Sequence, residues 1–160
     1  MIGVFFNDGS QSKMGYYLQA DVTATSTQCY PDGSQQVSVR VALTSTAPAD
    51  AASLPSYISG GRVLPAGQVR TNVLLYAPEG GWVDTVVVTG AEPGVHSQFH
   101  EGLAMAAKTV VLGPGDQVVI EYDTRTGPAQ PGEPILRVTP LAQREYSVVT
   151  TADGRYGEQP

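Results

Sequence analysis

The sequence predicts an all-β fold, a two-layer antiparallel β-sandwich, on three observations. Apolar and polar residues alternate over several runs, as in Leu18, Ala20, Val22 and Ala24 against Gln19, Asp21, Thr23 and Thr25. Turn chemistry separates these runs, drawn from 18 glycines and 12 prolines in 160 residues. Charged residues make up only 15% of the chain, and the remainder is rich in Val, Thr, Ser and Ala, a β-protein composition rather than that of a helix bundle. The length suits one domain with a sizeable core.

Taken in order, the chain opens on Met1 and a strand-like run, Ile2-Gly3-Val4-Phe5-Phe6; Met1 reads as an initiator on a cut-out domain. Residues 1–14 are set apart as an N-terminal segment, a linker from an upstream domain, and the sandwich is expected over 15–150. Gly15 to Cys29 forms a long two-faced strand. Pro31-Asp32-Gly33 then turns the chain into Val37, Val39, Val41 and Leu43, which alternate with Ser38, Arg40, Ala42 and Thr44, so the two strands pair as an antiparallel hairpin. From Ser45 to Ala66 the alternation stops, and Pro48, Pro55, Gly60, Gly61 and Pro65 punctuate a connection that crosses between sheets. Within it, Ala49 to Leu54 makes one helical turn, and Leu54, Tyr57 and Ile58 pin the loop to the core.

Val69, Thr71, Val73 and Leu75 resume the period of two, and Ala77 to Gly81 is a turn by composition. Trp82 to Thr89 contains Val86-Val87-Val88, a run that implies cover on both faces and hence a central strand. Val95 to Glu101 is a strand with Phe99 inward, and Leu103 to Leu112 follows. Val110 to Tyr122 is expected to be the hairpin that organises the fold. Gly113-Pro114-Gly115-Asp116 sets its register, with Val118, Ile120 and Tyr122 facing the core and Val119, Glu121 and Asp123 facing out. Thr126 to Pro134 turns the chain, Ile135 to Thr139 and Tyr146 to Thr150 are short strands, and 151–160 is a tail. Eight or nine strands at spacings of roughly 8 to 12 residues give an immunoglobulin-like sandwich.

The net charge of −6 argues against nucleic acid as a partner, because phosphate-backbone binding draws on clustered Lys and Arg. No apolar run approaches the roughly 18 residues of a membrane span, so no membrane segment is expected in this chain. Cys29 is the one cysteine and forms no internal disulfide; it reads as a core or strand-end residue.

His96 and His100 lie four apart, which in a strand places them about 13 Å apart on one side, too far to share a metal ion. Asn7 to Ser12 is oxygen-rich but lacks the closing glutamate of a calcium loop and reads as a turn. Ser10 stands three before Lys13, a spacing that serine acyl-enzymes use with partner motifs not found here. Lys108 sits mid-strand, where an isopeptide bond to an asparagine would form, but an edge lysine that deters strand pairing explains it equally well. No catalytic residue, metal ligand or cofactor is therefore assigned. Tyr57, Tyr76 and Trp82 are candidate contacts for a sugar ring, with His96 and His100 beside them, and Glu121 with Asp123 is a candidate acid–base pair.

Several stretches carry a resemblance that spans most of the chain. They are Gly3-Val4-Phe5-Phe6-Asn7-Asp8, Ser12-Lys13-Met14, Tyr16-Tyr17-Leu18, Cys29-Tyr30-Pro31-Asp32-Gly33, Leu43 to Pro48, Leu54 to Gly60 and Leu112-Gly113-Pro114-Gly115. In that order they resemble the C-terminal region of the bacterial domain of unknown function 4012 family of high-GC Gram-positive bacteria. The resemblance implies an extracytoplasmic domain of an envelope protein that an N-terminal transmembrane helix anchors, and it implies no known activity. The first expectation is a non-catalytic module that contacts protein or cell-wall polysaccharide. A glycan-binding or glycan-processing domain, and a structural piece of an envelope complex, stand beside it.

Overall fold

The computed structural model describes residues 1–149, and over these the alternation becomes ten strands in two five-stranded sheets. The front sheet runs in the order β6 (His96–His100), β7 (Leu103–Leu112), β4 (Val69–Tyr76), β1 (Ile2–Asp8), β9 (Leu136–Val138). The back sheet runs β10 (Gln143–Val149), β2 (Leu18–Cys29), β3 (Gln35–Ser45), β8 (Gln117–Arg125), β5 (Trp82–Thr89). Alternate residues from both sheets fill the space between them. Val4, Phe6, Val73, Leu75 and Val110 from the front meet Val22, Val39, Val41, Leu43 and Ile120 from the back, and all are buried. The predicted all-β sandwich is what the chain forms.

Two edge strands run parallel to their neighbours, β9 along β1 and β10 along β2, so the sheets are mixed rather than wholly antiparallel. Strand direction leaves no trace in a period-two pattern, which records only the faces. The count rises from the expected eight or nine to ten because β1, in the segment set apart as a linker, is itself a strand of the front sheet.

The stretch from Val110 to Tyr122 is not a hairpin. β7 belongs to the front sheet and β8 to the back, and the turn between them is a corner. Its hydrogen bonds explain the difference: the Gly115 N–H donates to the Ser45 carbonyl and the Ser45 N–H to the Asp116 carbonyl, both at 3.0 Å, so the turn is tied to the end of β3. The inward and outward assignments on β8 nevertheless hold, with Ile120 buried, Val119 half-buried and Glu121 exposed. By contrast, β2 and β3 do pair as the expected hairpin across the Pro31–Gly33 turn.

Three further expectations change. β5 is an edge strand, not a central one; Val86 and Val88 pack on the core while Val87 is exposed, so the valine run covers one face only. Phe99 is 79% exposed because β6 lies at the rim of the front sheet, beyond the reach of the back one. Residues 1–14 are no linker: β1 lies between β4 and β9, and Ile2, Val4, Phe6 and Met14 are buried.

The connection after β3 does cross from the back sheet to the front, through a 3-10 turn at Ala51–Ser53 and the short helix α1 (Ser56–Ser59). Leu54 and Ile58 pack against the core as expected, but Tyr57 points away and is 71% exposed. Among the described residues no helix is long and apolar enough to cross a membrane. Thr150 and the tail at 151–160 lie outside the described residues.

Candidate functional site

The chain leaves the front sheet at Asp8 and must reach the back sheet at Leu18, and the nine residues between are folded tightly. The Gly9 N–H donates to the Arg70 carbonyl at 2.8 Å, and the Asp8 carboxylate accepts from both the backbone N–H and the hydroxyl of Ser10. This is an Asx turn, the local use of aspartate that the oxygen-rich Asn7 to Ser12 run suggested. The Ser12 hydroxyl accepts from the Met14 N–H, a 3-10 turn follows at Met14–Tyr17, and Met14 plugs it into the core. With Met14 and Leu18 directed inward, Tyr16 is left on the outside, 63% exposed.

α1 docks against this segment, because the Lys13 N–H donates to the Ile58 carbonyl at 3.1 Å. The junction brings Tyr16, Tyr17 and Tyr57 around a cleft of about 590 Å³, with Asp8, Lys13 and Ile58 completing its walls. Tyr16 and Tyr17 meet edge to face, their ring centres 5.2 Å apart. On Tyr57 a second cleft opens, about 330 Å³, lined by Gln11, Ser56, Gly60 and Arg62. Glycine is required at the wall they share: Gly60 has φ +79° and its missing Cβ would stand 3.2 Å from that of Ser12. Such a site can stack planar or ring-shaped faces on phenol rings and offer hydrogen bonds and charge at the rim.

The other candidate contacts are scattered. Tyr76 hydrogen bonds His100 Nδ1 at 3.1 Å on the outer face of the front sheet, where Phe5 meets the Tyr76 ring edge-on, and His96 is exposed at the start of β6. Trp82 stands at the far end of the sandwich, the length of β2 away from Tyr16, and Arg125 lies 5.4 Å from its ring centre. Tyr57 alone of the five enters the tyrosine cleft. Among the described residues no group of three His, Cys, Asp or Glu side chains could hold a metal ion.

A shallow groove of about 400 Å³ crosses the outer face of the back sheet over Thr23, Ser38, Arg40, Glu121 and Asp123. Glu121 and Asp123 lie side by side on one strand rather than facing each other across the groove. Ser38 donates to Asp123 at 2.6 Å, and Arg40 approaches Glu121 at 3.9 Å. The charged groups here are paired, and the one aromatic residue on the groove, Tyr122, is buried and offers no face to stack on.

Lys108 is not an edge lysine, since β7 lies between β6 and β4. Its ammonium donates to the Glu92 carbonyl and fastens the connection between β5 and β6. Lys108 pairs with Val73 on the inward face while Asn72 faces outward and accepts from Thr109, so the pleat separates the two groups that an isopeptide bond would join. Cys29 ends β2, the strand-end position expected of it.

No protein-family model and no curated protein matches the chain. Lys13, Tyr16, Tyr17 and Arg62 do not stand out in the sequence as ligand contacts. One signal was available: in Met14-Gly15-Tyr16-Tyr17-Leu18 the aliphatic residues claim the core, so at least one large ring must face solvent beside the turn.

Proposed function

We propose that this domain is a non-catalytic, extracytoplasmic binding module that holds a cell-wall polysaccharide in the cleft between Tyr16 and Tyr57. The observation that supports the reading is the pair of exposed phenol rings walling one cleft, with Tyr17 beneath and Asp8 and Lys13 at its rim. Aromatic rings held this way bury the apolar faces of sugars, while their edges and neighbours meet hydroxyl groups. The extracytoplasmic setting rests on the resemblance of the sequence to envelope proteins. Isothermal titration of the full chain with soluble wall-polysaccharide fragments tests the proposal. Tyr16→Ala and Tyr57→Ala should each weaken binding by roughly tenfold, the scale of one aromatic contact. An absence of binding to every fragment sinks it.

A second reading, a structural piece of an envelope assembly, is favoured by β6, an edge strand whose five residues are all exposed, Phe99 among them. An open edge strand is a template for strand pairing. Light scattering behind size exclusion tests the self-assembly version, and a strict monomer at high concentration counts against it.

A further inference from the structure

We infer that the Tyr57 site takes a carboxylated sugar chain, one that straddles Tyr57 and sets an acidic group against Lys13 on one side and Arg62 on the other. The inference rests on the polysaccharide reading above and names the class of polysaccharide. Its starting point is the state of the cations. Arg40 approaches Glu121, Arg125 is bonded to Ser34 beside Asp32, and Lys108 bonds the Glu92 carbonyl. Among the described residues the side chains of Lys13 and Arg62 have no hydrogen bond or ion pair, a state they share with Arg70 and Arg137, and both Lys13 and Arg62 are exposed.

Of these, Lys13 and Arg62 line the clefts that share Tyr57, Lys13 the larger and Arg62 the smaller. In a chain of net charge −6, such a placement sets a local positive field against the average, which draws anions and repels little at close range. Asp8 is the one acid on the cleft walls, so Lys13 and Arg62 against Asp8 leave the two clefts at +1. The Asp8 Oδ1 is taken up by Ser10, and its Oδ2 faces Gly15, where it can accept a sugar hydroxyl.

The aromatic wall narrows the chemistry of the anion. Tyr16 and Tyr57 offer flat apolar faces, which suit a pyranose ring and not a flexible polyol phosphate. Two cations are also too few for a nucleic acid, whose affinity comes from neutralising many phosphates. A sugar acid meets both demands, since each residue brings one ring face and one carboxylate. Arg62 can bind that carboxylate with its planar fork and Lys13 as a point charge.

The test compares a galacturonic acid tetramer with the same tetramer methyl-esterified at its carboxylates, by isothermal titration of the full chain at low salt. The acid form should bind roughly tenfold more tightly than the ester, with the difference closing as salt is raised. Lys13→Gln and Arg62→Gln should each reduce that acid-to-ester ratio by about two- to fivefold, the scale of one exposed ion pair, and together should bring it near one. Circular dichroism melts confirm folding of these surface variants.

Tyr57→Ala should weaken both forms. If acid and ester bind equally well, or the glutamine variants keep the full ratio, the inference falls while the polysaccharide reading stands. If neither tetramer nor any neutral wall fragment binds, both fall together. Tighter binding of a glycerol phosphate polymer or of single-stranded oligothymidylate than of the acid tetramer also overturns the carboxylated-sugar assignment.

Discussion

The guanidinium carbon of Arg125 lies 3.6 Å from the centre of the Tyr30 ring. β8 brings Arg125 to the β2–β3 turn, where its Nε and Nη2 both donate to the Ser34 hydroxyl, at 3.2 and 3.0 Å, while Trp82 flanks it at 5.4 Å. The planar cation thus joins three segments of the back sheet at one end. Arg125→Lys keeps the charge but loses the planar stack and the paired donors, and should cost about 1 kcal/mol in urea unfolding. Glycan affinity should not change, because this cluster is remote from Tyr57. Equal stability of wild type and Arg125→Lys would show that the stack contributes nothing.

Beside it, Asp32 accepts from the Ser34 hydroxyl at 2.6 Å and the Ser34 N–H at 2.9 Å. These bonds, the hydroxyl first, with Arg125 at 4.0 Å, hold the Asp32 carboxyl below the usual range. A carboxylate with a depressed folded-state pKa adds stability that is present above its unfolded pKa, near 4, and is lost as pH falls through the lower folded value. Asp32→Ala should therefore lower stability at pH 7 and have little effect at pH 2. Chemical shifts of Asp32 should titrate below those of an unfolded-chain aspartate; a midpoint at or above that reference contradicts the turn geometry.

Ile120 is fully buried and its neighbour Val119 is half-buried on the outer side of β8. Ile120→Ala removes methylenes from the centre of the sandwich and should cost about 2–5 kcal/mol. Val119→Thr changes a side chain that solvent reaches and should cost less than about 1 kcal/mol. Similar losses in urea unfolding would mean that something covers the outer face of the back sheet.

What the sequence made legible was the face of each strand, and what it hid was the partner. Ile120 and Val119 are told apart by alternation, a local property of the backbone. The corner at Gly113 to Asp116 reads as a hairpin in the sequence because its turn residues serve either purpose. The choice is made by Ser45, far earlier in the chain, whose backbone takes up both Gly115 and Asp116. Phe99 was placed inward by the same alternation, yet alternation is informative only where a second sheet lies opposite, and β6 has none. The site was hidden for a related reason: Tyr57 was legible as a candidate, but its companions Tyr16 and Lys13 meet it through a single backbone bond from Lys13 to Ile58.

Among the described residues the Tyr122 hydroxyl is buried without a hydrogen-bond partner, and burial raises its pKa above the ordinary tyrosine value. An unbonded buried hydroxyl is destabilising by about 1–3 kcal/mol. Tyr122→Phe keeps the ring and removes that cost, so the variant should be at least as stable as wild type. A loss greater than about 1 kcal/mol would reveal a bond made by the hydroxyl in solution.

Gly67 connects the loop geometry to the binding site. It has φ +85°, its N–H donates to the Ser59 carbonyl at 2.8 Å, and a Cβ there would stand 2.9 Å from the Ala52 nitrogen. Gly115 has a similar φ of +80°, but a Cβ there meets nothing within 4 Å. Alanine at 115 therefore suffers backbone strain alone, about 1 kcal/mol, whereas alanine at 67 adds a collision with backbone and should cost about 2–4 kcal/mol. The collision can be relieved only by moving the crossover that carries α1, so Gly67→Ala should also weaken glycan binding even where the protein remains folded. Gly115→Ala, at the corner between β7 and β8, should leave affinity intact. Equal affinities for the two variants, measured well below their unfolding midpoints, would separate Tyr57 from the anchoring of its loop.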